Sequence, residues 1–282
     1  MGQKGPRFAV SISVTPIAGA LGAEIGDVNV ADDLDDDTIA DIRRALLDHQ
    51  VIFFRDQTLD VERHKSFTRA FGELFVHPNF QFGQENPEIV YVRREPGDEK
   101  ILGQGWHADT TMMAKPPMGA ILYAMEVPPT GGDTLFANQY LAYEALSAGM
   151  KRLLEPLHAV HNDTRVAGPN LDLNDKRASQ VRDDENWRPT ENLHPVVRIH
   201  PETGQKHLFV NPIYVHRFDG MTEAESQPLL NYLYDHAVRP EFTCRFSWRR
   251  GSIAFWDNRC TLHLAVHDSH DHVRHMQRTQ IA

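Results

Sequence analysis

The chain has 282 residues, a formal net charge of −10 and a hydrophobic fraction of 41%, as expected of a globular protein with a buried core. The acidic balance argues against nucleic acid as a partner, for which a basic surface is typical. No apolar run approaches the roughly 20 residues of a membrane helix, and the first residues lack the hydrophobic core of a signal peptide. Two cysteines, Cys244 and Cys260, are too few for a disulfide scaffold, so we expect reduced thiols in a cytoplasmic protein.

The first part of the chain contains two predicted helices around one short strand. Residues 34–50 place their aliphatic side chains on one helical face and acidic side chains in the first turn. An apolar strand is expected at 51–55. A second helix is expected at 60–71, with Gly72 at its C-terminal end.

From residue 89 onwards, short segments rich in β-branched and aromatic residues predict strands. These strands are expected at 89–93, 118–126, 194–200, 206–211, 242–248 and 252–258. Helices are expected at 139–155 and 222–237, and the polar stretch 162–192 predicts a long loop or lid inserted between strands. Many short strands with flanking helices are typical of a double-sheet jelly roll, which can form one domain over residues 1–282.

Among sixteen histidines, His107 is informative because Asp109 follows it at two residues. Positions i and i+2 of a strand face the same side, so both side chains could bind one metal ion. His263, just past a later apolar strand, is the candidate third ligand. Two histidines and one carboxylate leave three positions of an octahedron open, as in non-haem Fe(II) oxygenases. The alternative for this short motif is a solvated histidine beside a solvated aspartate.

Several sequence blocks carry a resemblance that covers nearly the whole chain, from about Val14 onwards. They are VIFFRDQ (51–57), FGEL (71–74), WHAD (106–109), GGDT (131–134), HPVVRIHPETG (194–204), LFVN (208–211) and WDNR (256–259). In this order and spacing they make the sequence resemble the taurine dioxygenase and 2,4-dichlorophenoxyacetate dioxygenase family.

This resemblance implies a fold and a set of cofactors. The fold is mainly β with flanking helices, a double-stranded β-helix or jelly roll. The implied cofactors are Fe(II), held by His107, Asp109 and His263, together with 2-oxoglutarate and O₂. Members of the family also work as homo-oligomers, so a dimer or tetramer is expected.

The resemblance also implies which residues hold the cosubstrate and a small anionic substrate. Arg274, eleven residues after His263, and Thr134 in the GGDT block correspond to residues that bind the far carboxylate of 2-oxoglutarate. Arg278 and His77 correspond to residues that hold a substrate sulfonate. Without the family, Arg274 would be interpreted as an exposed strand-end charge, Thr134 as a turn residue and His77 as a core or loop residue.

Four pocket positions depart from the taurine enzyme that the sequence resembles. Phe80 replaces a tyrosine and Gly103 an asparagine, while Ala167 and Tyr214 each replace a phenylalanine. The tyrosine and asparagine help to hold the ammonium group of taurine, and a buried cation without such partners is costly. Ala167 is expected to enlarge the pocket.

The sequence therefore predicts an Fe(II)- and 2-oxoglutarate-dependent dioxygenase that hydroxylates a small organic acid. A bulky carboxylate such as an aryloxyalkanoate is the favoured substrate, and taurine, an alkylsulfonate or an alkyl sulfate is the alternative. A non-catalytic jelly-roll binding protein is a remote alternative, because such a protein is expected to lack one or more metal ligands and here all three are present. A zinc hydrolase would leave Arg274 and Thr134 without a task.

Overall fold

Strands outnumber helices in the chain, whose computed structural model describes residues 12–80, 85–169 and 171–282. The helices are α1 (Asp36–His49), α2 (Val61–Arg69), α3 (Gln139–Glu144), α4 (Ala148–Leu154) and α5 (Glu223–Ala237), with a 3₁₀ turn at Pro240–Phe242. The strands are β1 (Ser13–Pro16), β2 (Ala23–Gly26), β3 (Val51–Phe54), β4 (Val90–Arg94), β5 (Gly119–Glu126), β6 (Thr134–Asn138), β7 (His158–Asn162), β8 (Glu191–Pro195), β9 (Val197–Ile199), β10 (Lys206–Leu208), β11 (Val215–Phe218), β12 (Thr243–Phe246), β13 (Ile253–Asp257), β14 (Thr261–Ala265) and β15 (Arg274–Ile281).

The strands form one large sheet and several smaller ones. The seven-stranded sheet has the order β1-β2-β3-β13-β5-β15-β4, and its only parallel pair is β2 with β3 among the described strands. Two three-stranded sheets have the orders β12-β6-β14 and β11-β7-β8, and β9 pairs with β10. In the seven-stranded sheet and in β12-β6-β14, strands from early and late in the chain are neighbours, as in antiparallel double-sheet folds. The predicted fold class, mainly β with flanking helices in a jelly roll, is confirmed.

Strand β3 is apolar at every position because both of its faces are buried. Val51 and Phe53 belong to the core between the sheets, where the ring of Phe53 stacks on Phe246 of β12 at 3.9 Å between centroids. Ile52 and Phe54 face the other way and belong to the core beneath α1 and α2. A strand buried on both faces is expected to be a continuous apolar run.

The predicted helices are present, with bounds set by local capping. Asp35 caps the start of α1 by accepting a hydrogen bond from a backbone N–H of the first turn. Helix α2 ends at Arg69, before the expected Gly72. The single helix expected at 139–155 is two helices, because Ser147 caps the start of α4.

The predicted strands are also present, and the structure adds seven more. The strand expected at 194–200 is divided into β8 and β9 at Val196, which is buried. The additional strands are β1, β2, β6, β7, β11, β14 and β15. Residues 163–169 and 171–190 contain neither helix nor strand. The role of this segment as a lid stays a prediction.

Two further expectations concern membranes and thiols. In the described part of the chain, none of the helices has both the length and the hydropathy needed to cross a membrane. Cys244 and Cys260 are buried and free.

Candidate metal centre and active site

The three predicted metal ligands lie together and are all buried. The Nε2 atoms of His107 and His263 lie 3.5 and 3.8 Å from Oδ1 of Asp109. One ligand atom from each residue lies within 4.8 Å of the other two. The second oxygen of Asp109, Oδ2, is buried and has no hydrogen-bond partner among the described residues. A buried carboxylate oxygen left unpaired beside two imidazoles fits a cation, so this donor set suits Fe(II).

The backbone holds the two histidines side by side. The N–H of His107 donates to the carbonyl of His263 at 3.0 Å, and the N–H of His263 donates to the carbonyl of His107 at 2.7 Å. His263 lies in the middle of β14, the strand that follows the apolar strand β13. The expectation that His107 and Asp109 share a strand is wrong, because His107 forms only this bridge and Asp109 begins a turn. In that turn Thr110 has a φ of 56°.

The protonation states in this group suit a metal ion. Nδ1 of His107 lies 2.8 Å from the carbonyl of Gly105 and therefore carries the proton, which leaves the Nε2 lone pair towards Asp109. Burial, together with His107, lowers the pKa of His263 well below its ordinary value. Burial alone raises the pKa of Asp109, but Arg278 and the two histidines outweigh it and hold that pKa well below its usual range. Metal binding requires such neutral imidazoles and an ionised carboxylate.

Asn258 holds the main chain of Asp109 and was not among the predicted site residues. Its Oδ1 accepts a hydrogen bond from the N–H of Asp109 at 2.6 Å, and its Nδ2 donates to the carbonyl of Asp109 at 2.9 Å. Asn258 is 1% exposed. The WDNR block contains this residue, but only the three-dimensional contact shows what its side chain does.

Arg274 and Thr134 lie beside each other at a position that fits a carboxylate. Arg274 is 5% exposed, so its interpretation as an exposed charge is wrong. Its Nε donates to the carbonyl of Gly132 at 3.1 Å, and its buried Nη2 has no partner among the described residues. The hydroxyl oxygen of Thr134 accepts a hydrogen bond from the indole of Trp248 at 3.0 Å, which leaves its own proton to donate.

The electrostatics at Arg274 support this assignment. Burial, followed by the neighbouring Arg94, lowers the pKa of Arg274 to about 10. Asp133 is the nearby acid, but its Oδ2 accepts a hydrogen bond from Arg245 at 2.6 Å. A buried guanidinium without its own carboxylate therefore fits the far carboxylate of 2-oxoglutarate.

Arg278 and His77 lie next to the ligand set. Nη1 of Arg278 lies 3.0 Å from Oδ1 of Asp109, and both side chains are buried. Nδ1 of His77 accepts a hydrogen bond from the N–H of Asn79 at 3.1 Å, so the neutral ring carries its proton on Nε2. Burial, followed by Arg278, lowers the pKa of His77 to about 3. His77 therefore offers a neutral N–H donor beside a guanidinium.

All ten predicted site residues line one cavity of about 60 Å³. They are His77, Phe80, Gly103, His107, Asp109, Thr134, Tyr214, His263, Arg274 and Arg278. The structure therefore brings the whole predicted set together.

An outer chamber of about 200 Å³ adjoins this cavity, and both share His77, Phe80, Gly103, His107 and Tyr214 in their lining. Gly103 has a φ of 83°, in the left-handed region where an asparagine side chain would be strained.

The predicted loop at 162–192 contributes to the wall of the outer chamber. Val166 is a lining residue of the chamber, whereas Ala167 is buried and does not line it. The expectation that Ala167 enlarges the pocket stays a prediction. Sequence alignment through an irregular loop does not fix which of two neighbouring side chains faces a cavity.

A second buried group of potential ligands consists of His200, Asp257 and Cys260. Asp257 accepts hydrogen bonds from Nε2 of His200 at 3.0 Å and from two nitrogens of Arg259 at 2.8 and 2.5 Å. Burial raises the pKa of Cys260 well above its ordinary value. The carboxylate is thus already satisfied by hydrogen bonds from His200 and Arg259, and we interpret this group as a structural network.

Similarity to known proteins extends over almost the full chain. The model of the taurine catabolism dioxygenase TauD, TfdA family matches residues 13–280. An alpha-ketoglutarate-dependent sulfate ester dioxygenase of Pseudomonas putida is 36% identical over 276 residues, which cover 97% of this chain and 90% of that protein. An alkylsulfatase of Acinetobacter baylyi is 35% identical over 274 residues, with coverage of 96% and 85%. A (S)-phenoxypropionate/alpha-ketoglutarate-dioxygenase of Sphingobium herbicidovorans is 34% identical over 262 residues, with coverage of 91% and 90%.

A solved structure agrees with these relatives. The crystal structure of a taurine dioxygenase from Burkholderia xenovorans has a TM-score of 0.81 and 39% identity, and the match covers 96% of this chain and 89% of that chain. The predicted cofactor and cosubstrates, Fe(II), 2-oxoglutarate and O₂, are those of such enzymes, and a buried His-Asp-His group is present to hold the metal. The chain therefore belongs to the taurine catabolism dioxygenase TauD, TfdA family and is a 2-oxoglutarate-dependent dioxygenase.

Proposed function

We propose that this enzyme hydroxylates a bulky organic acid, and that an aryloxyalkanoate is the substrate the site supports best. The observation that carries the proposal is the outer chamber of about 200 Å³ beside the ligand set. A cavity of about 150 Å³ is enough for a benzene ring. Phe80, Leu102 and Ile213 give the chamber an apolar wall on which an aromatic ring can bury its surface.

The acid group of the substrate is assigned to Arg278 and His77. A guanidinium pairs with a carboxylate through two parallel N–H donors, and the Nε2–H of His77 supplies a further neutral donor. Since Arg278 also contacts Asp109 at 3.0 Å, an acid held there lies next to the metal ligands. This arrangement would hold the adjacent C–H group near the reactive centre.

In the proposed reaction R–H, 2-oxoglutarate and O₂ give R–OH, succinate and CO₂. The metal ligands, Arg274 and Thr134 each have a role in it. Fe(II), held by His107, Asp109 and His263, would supply the oxidising chemistry when bound. Arg274 and Thr134 would orient 2-oxoglutarate by its far carboxylate. Hydroxylation of the carbon that bears the ether oxygen gives a hemiketal or hemiacetal, which breaks down to a phenol and a carbonyl acid.

Taurine is disfavoured by two positions in the same cavity. Its ammonium group needs polar partners, and neither Phe80 nor Gly103 has a side-chain acceptor. A buried cation that lacks hydrogen bonds is unfavourable by about 1–3 kcal/mol. The site therefore favours substrates whose tail is apolar or anionic over substrates whose tail is cationic.

An alkyl sulfate is the second candidate. Two of the relatives are named for sulfate ester or alkyl sulfate chemistry. Arg278 and His77 would bind a sulfate as readily as a carboxylate, and an alkyl chain would occupy the same apolar chamber. Hydroxylation of the carbon next to the sulfate oxygen would release sulfate and an aldehyde.

Competition among three substrates tests the proposal. Taurine, an aryloxypropionate and an alkyl sulfate are supplied together to the enzyme with Fe(II), 2-oxoglutarate and O₂, and each product is measured alongside succinate. We expect kcat/KM for the aryloxypropionate to exceed that for taurine by about tenfold or more, since 1.4 kcal/mol corresponds to a factor of ten. A preference for taurine would reject the proposal, and a preference for the alkyl sulfate would establish the second candidate.

A further inference from the structure

The loop at 162–192, called the insert below, places one buried arginine in the wall of the outer chamber. Arg177 is 8% exposed, and it lines the chamber beside Tyr214. Its Nε and Nη2 atoms are buried and have no hydrogen-bond partner among the described residues. Burial lowers the pKa of Arg177 to about 10. A guanidinium that is buried without partners is unfavourable in the protein alone, and it indicates that a ligand group completes the site.

Among the described residues, no acidic side chain forms an ion pair with Arg177. The nearby acid is Asp98, whose Oδ2 accepts hydrogen bonds from the backbone N–H groups of Glu95 at 3.0 Å and Ala178 at 3.1 Å. Asp98 therefore holds its own turn at Glu95 and the backbone of Ala178, the residue after Arg177, but it forms no ion pair with Arg177 in the described part of the structure. The two donors of Arg177 stay available.

The chamber as a whole is cationic, although the chain carries a net charge of −10. Lys100 and Arg165 line it together with Arg177, and its described lining contains no Asp or Glu. Arg165 is partly engaged, because its Nη1 donates to the carbonyl of Pro212 at 2.8 Å. A local cluster of one sign in an acidic protein attracts an anion from solution.

We propose that Arg177 forms a second anion-binding position, and that the preferred substrate carries a second acidic group, a carboxylate or sulfate, at its far end. This inference rests on the proposed function, in which Arg278 holds the first acidic group. Tyr214 lines both the inner cavity and the outer chamber, so one molecule can extend from Arg278 to Arg177. An oxyanion has two oxygens to accept from Nε and Nη2 in the paired geometry typical of arginine.

Two matched pairs of compounds test this position by equilibrium binding. In the first pair, para-carboxyphenoxypropionate is compared with para-carbamoylphenoxypropionate, which has the same size but one charge fewer. In the second pair, 5-carboxypentyl sulfate is compared with hexyl sulfate. Calorimetric titrations use the enzyme loaded with Mn(II) and 2-oxoglutarate under anaerobic conditions, so that binding is measured without turnover.

Three variants separate the charge of Arg177 from its packing. We expect Arg177→Met to weaken binding of the doubly charged compound in each pair by about tenfold or more. Binding of the singly charged compound should weaken by no more than about twofold. Arg177→Lys keeps a charge and should restore part of the preference. Arg188→Met is the control, because Arg188 is exposed on the same insert and donates only to backbone carbonyls.

The outcomes distinguish this inference from the proposed function. If the wild-type enzyme binds both members of a pair equally, or if Arg177→Met weakens both equally, the second position is rejected while the proposed function stands. If the wild-type enzyme binds neither pair, the assignment of the first acidic group fails, and both proposals are overturned. If the doubly charged member is preferred and Arg188→Met removes the preference as well, the effect is not due to Arg177.

Discussion

The side chain of Asn258 holds Asp109 by its backbone, accepting from its N–H at 2.6 Å and donating to its carbonyl at 2.9 Å. The same amide nitrogen donates to the carbonyl of Pro117 at 3.1 Å. These bonds fix a turn in which Thr110, buried and not a glycine, has a φ of 56°. Such a backbone conformation persists only when the surroundings determine it. Asn258 thus positions the carboxylate without touching it.

We expect Asn258→Ala to weaken Fe(II) binding by about tenfold to a hundredfold, the usual effect of removing a group that orients a metal ligand. Anaerobic competition with a chelator measures this affinity. Asn138→Ala is the matched control, because Asn138 is equally buried but caps α3. It should lower the Tm of the apoprotein and leave the affinity for Fe(II) unchanged. Equal losses of affinity in the two variants would assign the effect to general destabilisation.

Each of the changes His107→Ala, Asp109→Ala and His263→Ala is expected to abolish turnover while the fold persists. All three side chains lie in one buried cluster. Loss of any one leaves two ligands, which are too few to hold the metal ion. Succinate release and circular dichroism are measured on the same preparations. Full activity of any one variant at saturating Fe(II) would remove that residue from the ligand set.

Arg274→Ala is expected to raise the KM for 2-oxoglutarate. A hydrogen bond to a charged group is worth about 1.5–3 kcal/mol, which corresponds to about tenfold to a hundredfold. Arg278→Ala should instead raise the KM for the organic acid. Steady-state kinetics in both substrates resolve the two effects, and the reverse pattern would show that the two arginines have been exchanged in our assignment.

The stability of the apoprotein in acid is expected to depend on Asp257. Burial alone raises the pKa of this carboxyl, but hydrogen bonds from Arg259 and His200 outweigh it and hold the pKa at about 2, below the ordinary 3.8. The depressed pKa stabilises the folded state above pH 4, and this contribution is lost as the pH falls towards 2. At roughly 1.4 kcal/mol per pKa unit, the loss is about 2–3 kcal/mol.

Urea titrations between pH 4 and 2 measure this contribution as a change in the free energy of unfolding. Asp257→Asn should remove the corresponding part of the pH dependence, since the amide does not titrate. Asp271→Asn, at an exposed position, serves as the control. An unchanged pH dependence in Asp257→Asn would show that another carboxyl is responsible.

The residues alone gave His107, Asp109 and His263 as candidate ligands, and the other site residues were predicted only through the resemblance to the family. The elements that carry these residues were harder to predict. A strand that carries Arg274 and Arg278 was expected, but the bounds of β15 were not predicted, since its buried polar residues leave no alternation of polar and apolar positions. A strand that presents polar groups to a buried site loses the period that identifies strands.

Contacts between distant segments account for the remaining differences. Asn258 and Asp109 are 149 residues apart, and no periodic pattern links them. Arg177 lies in an irregular insert, where its burial depends on how the loop packs on the chamber. Packing of the same loop also decides that Val166 lines the chamber whereas Ala167 is buried away from it. The dimer or tetramer expected from the family stays a prediction, because an interface depends on surfaces that the sequence does not mark.

The reciprocal backbone bridge between His107 and His263 has a consequence for the maintenance of the enzyme. Since two main-chain hydrogen bonds join these residues, the spacing of their imidazoles is set when the chain folds and does not require an ion. Metal capture then needs little ordering of the chain and is governed by exchange of the ligands on the ion itself. An enzyme stripped by chelation is therefore expected to regain activity when Fe(II) is resupplied, without a refolding phase.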